Sequence, residues 1–315
     1  MTDRVLSRRR LLAAAGVALG AAAVKGLGAT ASSQKPKSSF KYCLNMATLR
    51  GHKQPLIDDI ETAAKAGFTA VELWLDKVNE YKKQAGDLAD LRKRIADKGL
   101  SVENAVAFAN WIVDDETERA KGLEQAKRDM ESIAAIGGKR MAAPPAGAQR
   151  ASAIDLLKAA ERYRALLDLS DLTGVVPILE LWGSSANINR IGQAAFIAAE
   201  SGHPKAALLL DVFHIYKGGS DFNALKLLSA NATPVFHIND YPAQPPRERI
   251  TDAERVYPGD GVAPLTQIIR DLNATGGQKV LSLELFNPNY YKQDPLEVAK
   301  TGLVKMEAAV EKALA

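Results

Sequence analysis

The chain has a single cysteine, Cys43, in 315 residues, so an internal disulfide is excluded. A chain this long does not need one, because its core can carry the fold. Histidine is also scarce, at four residues, which argues against a centre built from several imidazoles. No apolar run spans a bilayer comfortably. The longest candidate, residues 11–24, is too short and too rich in Ala and Gly. No G-x-G-x-x-G follows the first apolar strand, so a dinucleotide site is not expected. The net charge of +4 is confined to the first 31 residues. Arg4, Arg8, Arg9, Arg10 and Lys25 face only Asp3 there, and beyond them basic and acidic side chains balance. A neutral body has no global attraction for nucleic acid or anionic lipid.

What is present describes a soluble globular protein: 47% hydrophobic and 25% charged residues. The N-terminus reads as an address. Arg8-Arg9 precede the mild apolar run, Lys25 follows it, and Ala29-Thr30-Ala31 offers an A-x-A cleavage site. Residues 1–31 resemble a twin-arginine signal peptide. The expectations are export by the Tat machinery in a folded state, a periplasmic location and no permanent membrane anchor. Residues 32–39 (SSQKPKSS) read as a linker.

From residue 40 to 315, strand and helix alternate. Strands are expected at 40–46, 69–74, 101–108, 139–145, 175–182, 206–211, 234–239 and 279–286. Helices are expected at 55–67, 87–99, 118–138, 151–173, 187–202 (with Asn187 as cap), 221–230, 262–275 and 295–314. Residues 240–261 form a long polar loop. Eight such units in strict alternation predict an α/β fold, the (β/α)8 TIM barrel, as one catalytic domain, with a doubly wound open sheet as the alternative.

Four of the late strands end alike. PILELWG delivers Glu180, LLLDVFH delivers Asp211, PVFHIND delivers His237 and LSLELFNP delivers Glu284. Each polar group closes an apolar strand, at the end where barrel enzymes build their sites. Neighbouring strands lie about 4.8 Å apart, so four such side chains can meet. One acid at a strand end is ordinarily a cap or surface group, and one histidine ordinarily a satisfied core residue. Four in succession are hard to obtain from capping alone. Three carboxylates and one imidazole suit one divalent ion, Mn²⁺, Zn²⁺, Mg²⁺ or Co²⁺. His214, three residues after Asp211, is either a fifth metal ligand or, as expected, faces a substrate oxygen beside the metal. Glu72, at the end of strand two, is either a substrate contact or the partner of a loop Lys or Arg. Trp74 and Trp182 either pack on a sugar ring or cap the core. His52 and His203 read as solvated loop residues.

LELWG, LLLDVFH, VFHINDYP, ERVYPGDG and LSLELFNPNYY resemble the strand-end motifs of the xylose isomerase-like sugar isomerase/epimerase superfamily, in particular its inosose (2-keto-myo-inositol) isomerase group. The likeness runs from about Tyr42 to the C-terminus. It implies that Glu180, Asp211, His237 and Glu284 bind one metal and that Glu180 and Glu284 form the acid/base pair. It also implies that Arg255 approaches the substrate. Two features depart from it, the export signal and the GSSANIN stretch after Glu180.

The function expected is isomerisation or epimerisation of a keto-sugar or keto-cyclitol. The proton beside the carbonyl leaves to a carboxylate and returns to the other face or to the neighbouring carbon. The same site would support β-elimination, as a dehydratase or lyase. A non-catalytic periplasmic carbohydrate binder is a third reading. An abasic-site endonuclease is disfavoured by the few histidines and the neutral body. Oligomerisation is left open.

Overall fold

A computed structural model describes residues 40–315, so the expected signal peptide and linker lie outside the described residues. Its strands are β1 (Phe40–Asn45), β2 (Ala70–Trp74), β3 (Ser101–Val106), β4 (Arg140–Ala143), β5 (Val176–Glu180), β6 (Leu208–Asp211), β7 (Val235–Ile238) and β8 (Lys279–Leu283). All pairings are parallel and run β3-β2-β1-β8-β7-β6-β5-β4. The first strand pairs with the last, as barrel closure requires. The ladder is open only between β3 and β4, where Arg140 Nη1 donates to the Glu103 carbonyl at 3.2 Å. This is the TIM barrel that strand–helix alternation predicts.

Side chains alternate between the two faces of a strand, and the sequence uses both phases. Leu44, Val71, Leu179, Leu210, Phe236 and Leu281 face outward into the large core beneath the helices. The other phase holds a separate, smaller cluster: Cys43, Ala70, Ala142, Ile178, Leu209, Val235 and Val280. Five members stand two residues before a polar strand-end group: 43 before Asn45, 70 before Glu72, 178 before Glu180, 209 before Asp211 and 235 before His237. The barrel interior is therefore an apolar plug with a polar layer directly above it. One register shift assists. Val71 pairs with Val102 but Glu72 pairs with Asn104, so the slip at Glu103 brings the Asn104 side chain to Glu72.

Aspartate starts several of the helices. Asp87, Asp115, Asp155 and Asp294 each accept hydrogen bonds from first-turn amides of the helix they precede, worth about 1 kcal/mol apiece. Three local expectations are corrected. A helix at Leu75–Lys83 follows β2 without a break. Its apolar stripe, Leu75, Val78 and Tyr81, is short and set among charged residues, so it gives little periodic signal. Between β6 and β7, the predicted helix 221–230 is replaced by a short helix at Val212–Gly218 and a 3-10 turn at Phe222–Leu227, so alternation is not strict there. Asn187 is not a helix cap. The helix begins at Ile191, and Asn187 is buried in the loop before it. His203 is also buried rather than solvated. Among the described residues, no helix is long and apolar enough to cross a membrane.

Candidate active site

The polar layer is built from both ends of the chain. His237 is fully buried, and its Nε2 lies 2.9 and 3.0 Å from the two oxygens of Glu72. That carboxylate also accepts from Asn104 Nδ2 at 2.7 Å and from Ser282 Oγ at 2.6 Å. Burial alone would raise Glu72, but the His237 charge and these three donors hold it below the ordinary carboxylate value. Glu72 is thereby the orienting partner of His237. Placed from sequence as a substrate contact or a partner of a loop cation, it sits with both oxygens engaged inside the barrel.

With Nε2 donating to Glu72, the other ring nitrogen turns toward the mouth. His237 Nδ1 lies 3.1 Å from Glu284 Oε2 and 3.7 Å from Asp211 Oδ2, and it makes no aligned hydrogen bond with either. Ligand atoms of Asp211, His237 and Glu284 all lie within 4.8 Å of one another, and all three residues are buried. An imidazole lone pair facing two carboxylates is repulsive unless a cation or a proton stands between them. Burial lowers His237, yet the Glu284 and Glu72 charges outweigh it and raise the imidazole well above its usual value. The fit to a divalent cation is good: one nitrogen and two oxygens converge, and the second nitrogen is braced by a carboxylate, as metal-binding histidines usually are.

Glu180, the fourth strand-end group, is not within that cluster of three. It lines the cavity beside it together with Glu284, His214 and Arg255. Its Oε2 is buried without a partner. Burial, followed by the repulsion of Glu284 and Glu72 and opposed by His237, pushes Glu180 up to about 8. Glu284 goes the other way. Burial alone would raise it, but His237 and Arg255 hold it below the ordinary value.

Arg255 reaches the barrel mouth because of Asp240. That buried carboxylate accepts from the backbone amides of Tyr241, Gly259, Gly261 and Ala263. Residues 240 and 256 also form an antiparallel bridge. A side chain at Gly261 would collide with Asp240, so the glycine is required for this approach. NDYP and VYPGDG are thus two halves of one clamp that points residue 255 inward. The buried Arg255 Nη1 donates to Asp211 Oδ2 at 2.7 Å and to Glu284 Oε2 at 2.8 Å.

Arg255 Nη2 also lies 3.1 Å from His214 Nε2. A guanidinium has no acceptor, so His214 Nε2 must accept and Nδ1 carries the proton. That Nδ1 is buried without a partner. Burial and the Arg255 charge lower His214, keeping the ring neutral. It presents one unsatisfied N–H beside the carboxylates.

Aromatic rings form the wall. Trp74 packs on Phe108 and Phe286, and Phe108 on Trp182, with centroids 5.4–6.1 Å apart. The cavity measures about 410 Å³, room for a single sugar-sized molecule. Sequence reasoning missed Phe108 and Phe286, which follow strands three and eight. It also missed Asn239, whose Nδ2 donates to Asp211 Oδ2 at 3.0 Å. Their positions just past strand ends were the available signal.

The comparisons with known proteins agree with one another. The model of the xylose isomerase-like TIM barrel family matches residues 60–308. The inosose isomerase of Bacillus velezensis is 31% identical over 279 residues, covering 87% of this chain and 98% of its own. That of Bacillus subtilis is 30% identical, covering 83% and 95%. A solved structure described as the IOLI protein with a binding zinc atom superposes with a TM-score of 0.80 at 28% identity, covering 87% of this chain and 99% of its own.

Proposed function

The chain belongs to the xylose isomerase-like TIM-barrel family, and from that premise we propose that it is a divalent-metal-dependent isomerase or epimerase of a keto-sugar or keto-cyclitol. The observation that carries the proposal is the convergence of Asp211, His237 and Glu284 beneath a sugar-sized cavity with two carboxylates of opposite character. Relatives named inosose isomerase and a relative structure holding zinc support the same reading.

In this proposal Asp211, His237 and Glu284 hold the cation, with Glu180 alongside. Such an ion supplies Lewis-acid polarisation of a substrate carbonyl oxygen. The side chains do the rest. Glu72 fixes the His237 ring. The His214 Nδ1–H donates to a substrate oxygen, and Arg255 keeps Glu284 charged and aimed. Two carboxylates whose environments push them apart define an acid/base pair. Glu284, held ionised, takes the proton from the carbon beside the carbonyl. Glu180, whose burial favours the protonated form, lines the same cavity and returns the proton. Return to the opposite face of the same carbon inverts the centre; return to the former carbonyl carbon, with the neighbouring hydroxyl proton passing to the former carbonyl oxygen, moves the carbonyl. The aromatic wall shields the carbanionic stage from water.

Incubation of the metal-loaded protein with a panel of ketoses and inososes in D₂O tests this. Deuterium beside the carbonyl with isomer exchange is the expected result. Double-bond formation would place the protein among eliminating enzymes, and binding without exchange would make it a carbohydrate binder. The twin-arginine address extends the proposal to a periplasmic enzyme exported by the Tat machinery in folded form. Replacing Arg8 and Arg9 with Lys is expected to hold the protein in the cytoplasm, as read by fractionation.

A further inference from the structure

The acidic floor of the cavity is accounted for above, but one cation at its rim is not. Arg150 lines the cavity from the loop after β4, with its side chain exposed to solvent. Among the described residues its guanidinium has no hydrogen bond, ion pair or aromatic partner. The backbone that carries it is held firmly. The buried Asn187 donates from Nδ2 to the carbonyls of Ala148 at 2.8 Å and Ser152 at 3.2 Å, and its Oδ1 accepts from Ile154 N at 2.8 Å. The Ala186 amide donates to the Gln149 carbonyl at 2.8 Å. The chain is thus pinned on both sides of residue 150. This explains the GSSANIN stretch, whose Asn187 secures the loop across from it.

A guanidinium can donate to the hydroxyls of a neutral polyol, but its planar paired donors match the oxygens of a carboxylate or phosphate best. The carboxylates on the floor would repel such a group, so it must lie at the rim while the reacting carbonyl lies below. We propose that Arg150, presented by the Asn187-clamped loop, is a specificity residue that binds an anionic oxygen group on the end of the substrate remote from the reacting carbon. This deepens the isomerase reading and rests on it. The substrate is then a keto-sugar or keto-cyclitol bearing a carboxylate or a phosphate ester.

The experiment compares matched neutral, carboxylated and phosphorylated ketoses, by deuterium exchange and by equilibrium binding to the metal-loaded, full-length protein. In the wild type, kcat/KM is expected to favour one anionic series over the neutral one, which tells the two anions apart. In Arg150→Gln that preference should fall about 10–100-fold, the scale of one charge-assisted hydrogen-bonded contact. The change should lie in KM rather than kcat, with partial recovery in Arg150→Lys. A preference unchanged by Arg150→Gln, or a wild type indifferent to the anion, overturns the proposal. If no ketose exchanges deuterium, the isomerase reading fails instead. Binding of the anionic series in wild type against Arg150→Gln then decides the role of Arg150 by itself.

Discussion

The two ends of the barrel hold charge in opposite ways. At the N-terminal end one buried acid, Glu103, is surrounded by cations. Lys41 Nζ lies 2.7 Å from it, Lys139 Nζ 3.2 Å and Arg140 Nη1 3.3 Å. Burial alone would raise Glu103, yet these cations, Lys41 foremost, lower it to about 2. The group is self-sufficient and closes that end of the barrel. At the C-terminal end four carboxylates, Glu72, Glu180, Asp211 and Glu284, share His237 and Arg255. Four polar atoms there, Asn104 Oδ1, Glu180 Oε2, His214 Nδ1 and His237 Nδ1, are buried without a hydrogen-bond partner. Buried polar atoms are ordinarily satisfied, so the comparison separates a structural charge cluster from one arranged for something absent from the polypeptide.

Substitutions on the two ends should therefore differ in kind. The largest effect is expected for Glu284→Gln, which should lose about 10²–10⁴-fold in deuterium exchange while keeping its circular dichroism. Wild-type exchange in that variant would remove Glu284 from the role of base. Next comes Glu72→Gln, which loosens the His237 ring without touching the cavity. Metal affinity should fall about 10–100-fold by calorimetric titration, and unchanged affinity would reduce Glu72 to a structural group.

The smallest effect belongs to the other end. Glu103 is depressed in the folded state, so its contribution to stability is fully present above the unfolded value near 4.5 and is lost as pH falls toward about 2. Glu103→Gln should cost about 1–2 kcal/mol at neutral pH, allowing for solvent screening of the partly exposed lysines. It should flatten the acid limb between those values and leave metal affinity unchanged. An acid limb as steep as that of the wild type would contradict this account of Glu103.

Much of the barrel was legible in the sequence because its strands are short apolar runs that end on a polar residue. Period-two alternation then places plug and site on one face. Asp211, His237 and Glu284 could be read for that reason. The pairing of Glu72 with His237 could not, since it depends on closing β2 across the barrel toward β7, a contact 165 residues apart. The arrival of Arg255 was implied by family likeness, but its cause, the Asp240 clamp on an irregular loop, has no periodic signature. The link between β6 and β7 was misread for a local reason. DFNALKLLSA has helical composition, yet Asp221 caps a 3-10 turn instead. Asn187 looked like a cap because Asn favours caps, while the fold uses the same amide to tie two loops together.

The central claim is that Asp211, His237 and Glu284 grip one divalent cation. Metal content and calorimetric titration of the wild type beside Asp211→Asn test it most directly. The account predicts about one tightly held ion per wild-type chain, matching one convergent donor set, and loss of that ion in the variant with the barrel still folded. A wild type that takes up no divalent metal, or a variant that binds it equally well, would contradict the account.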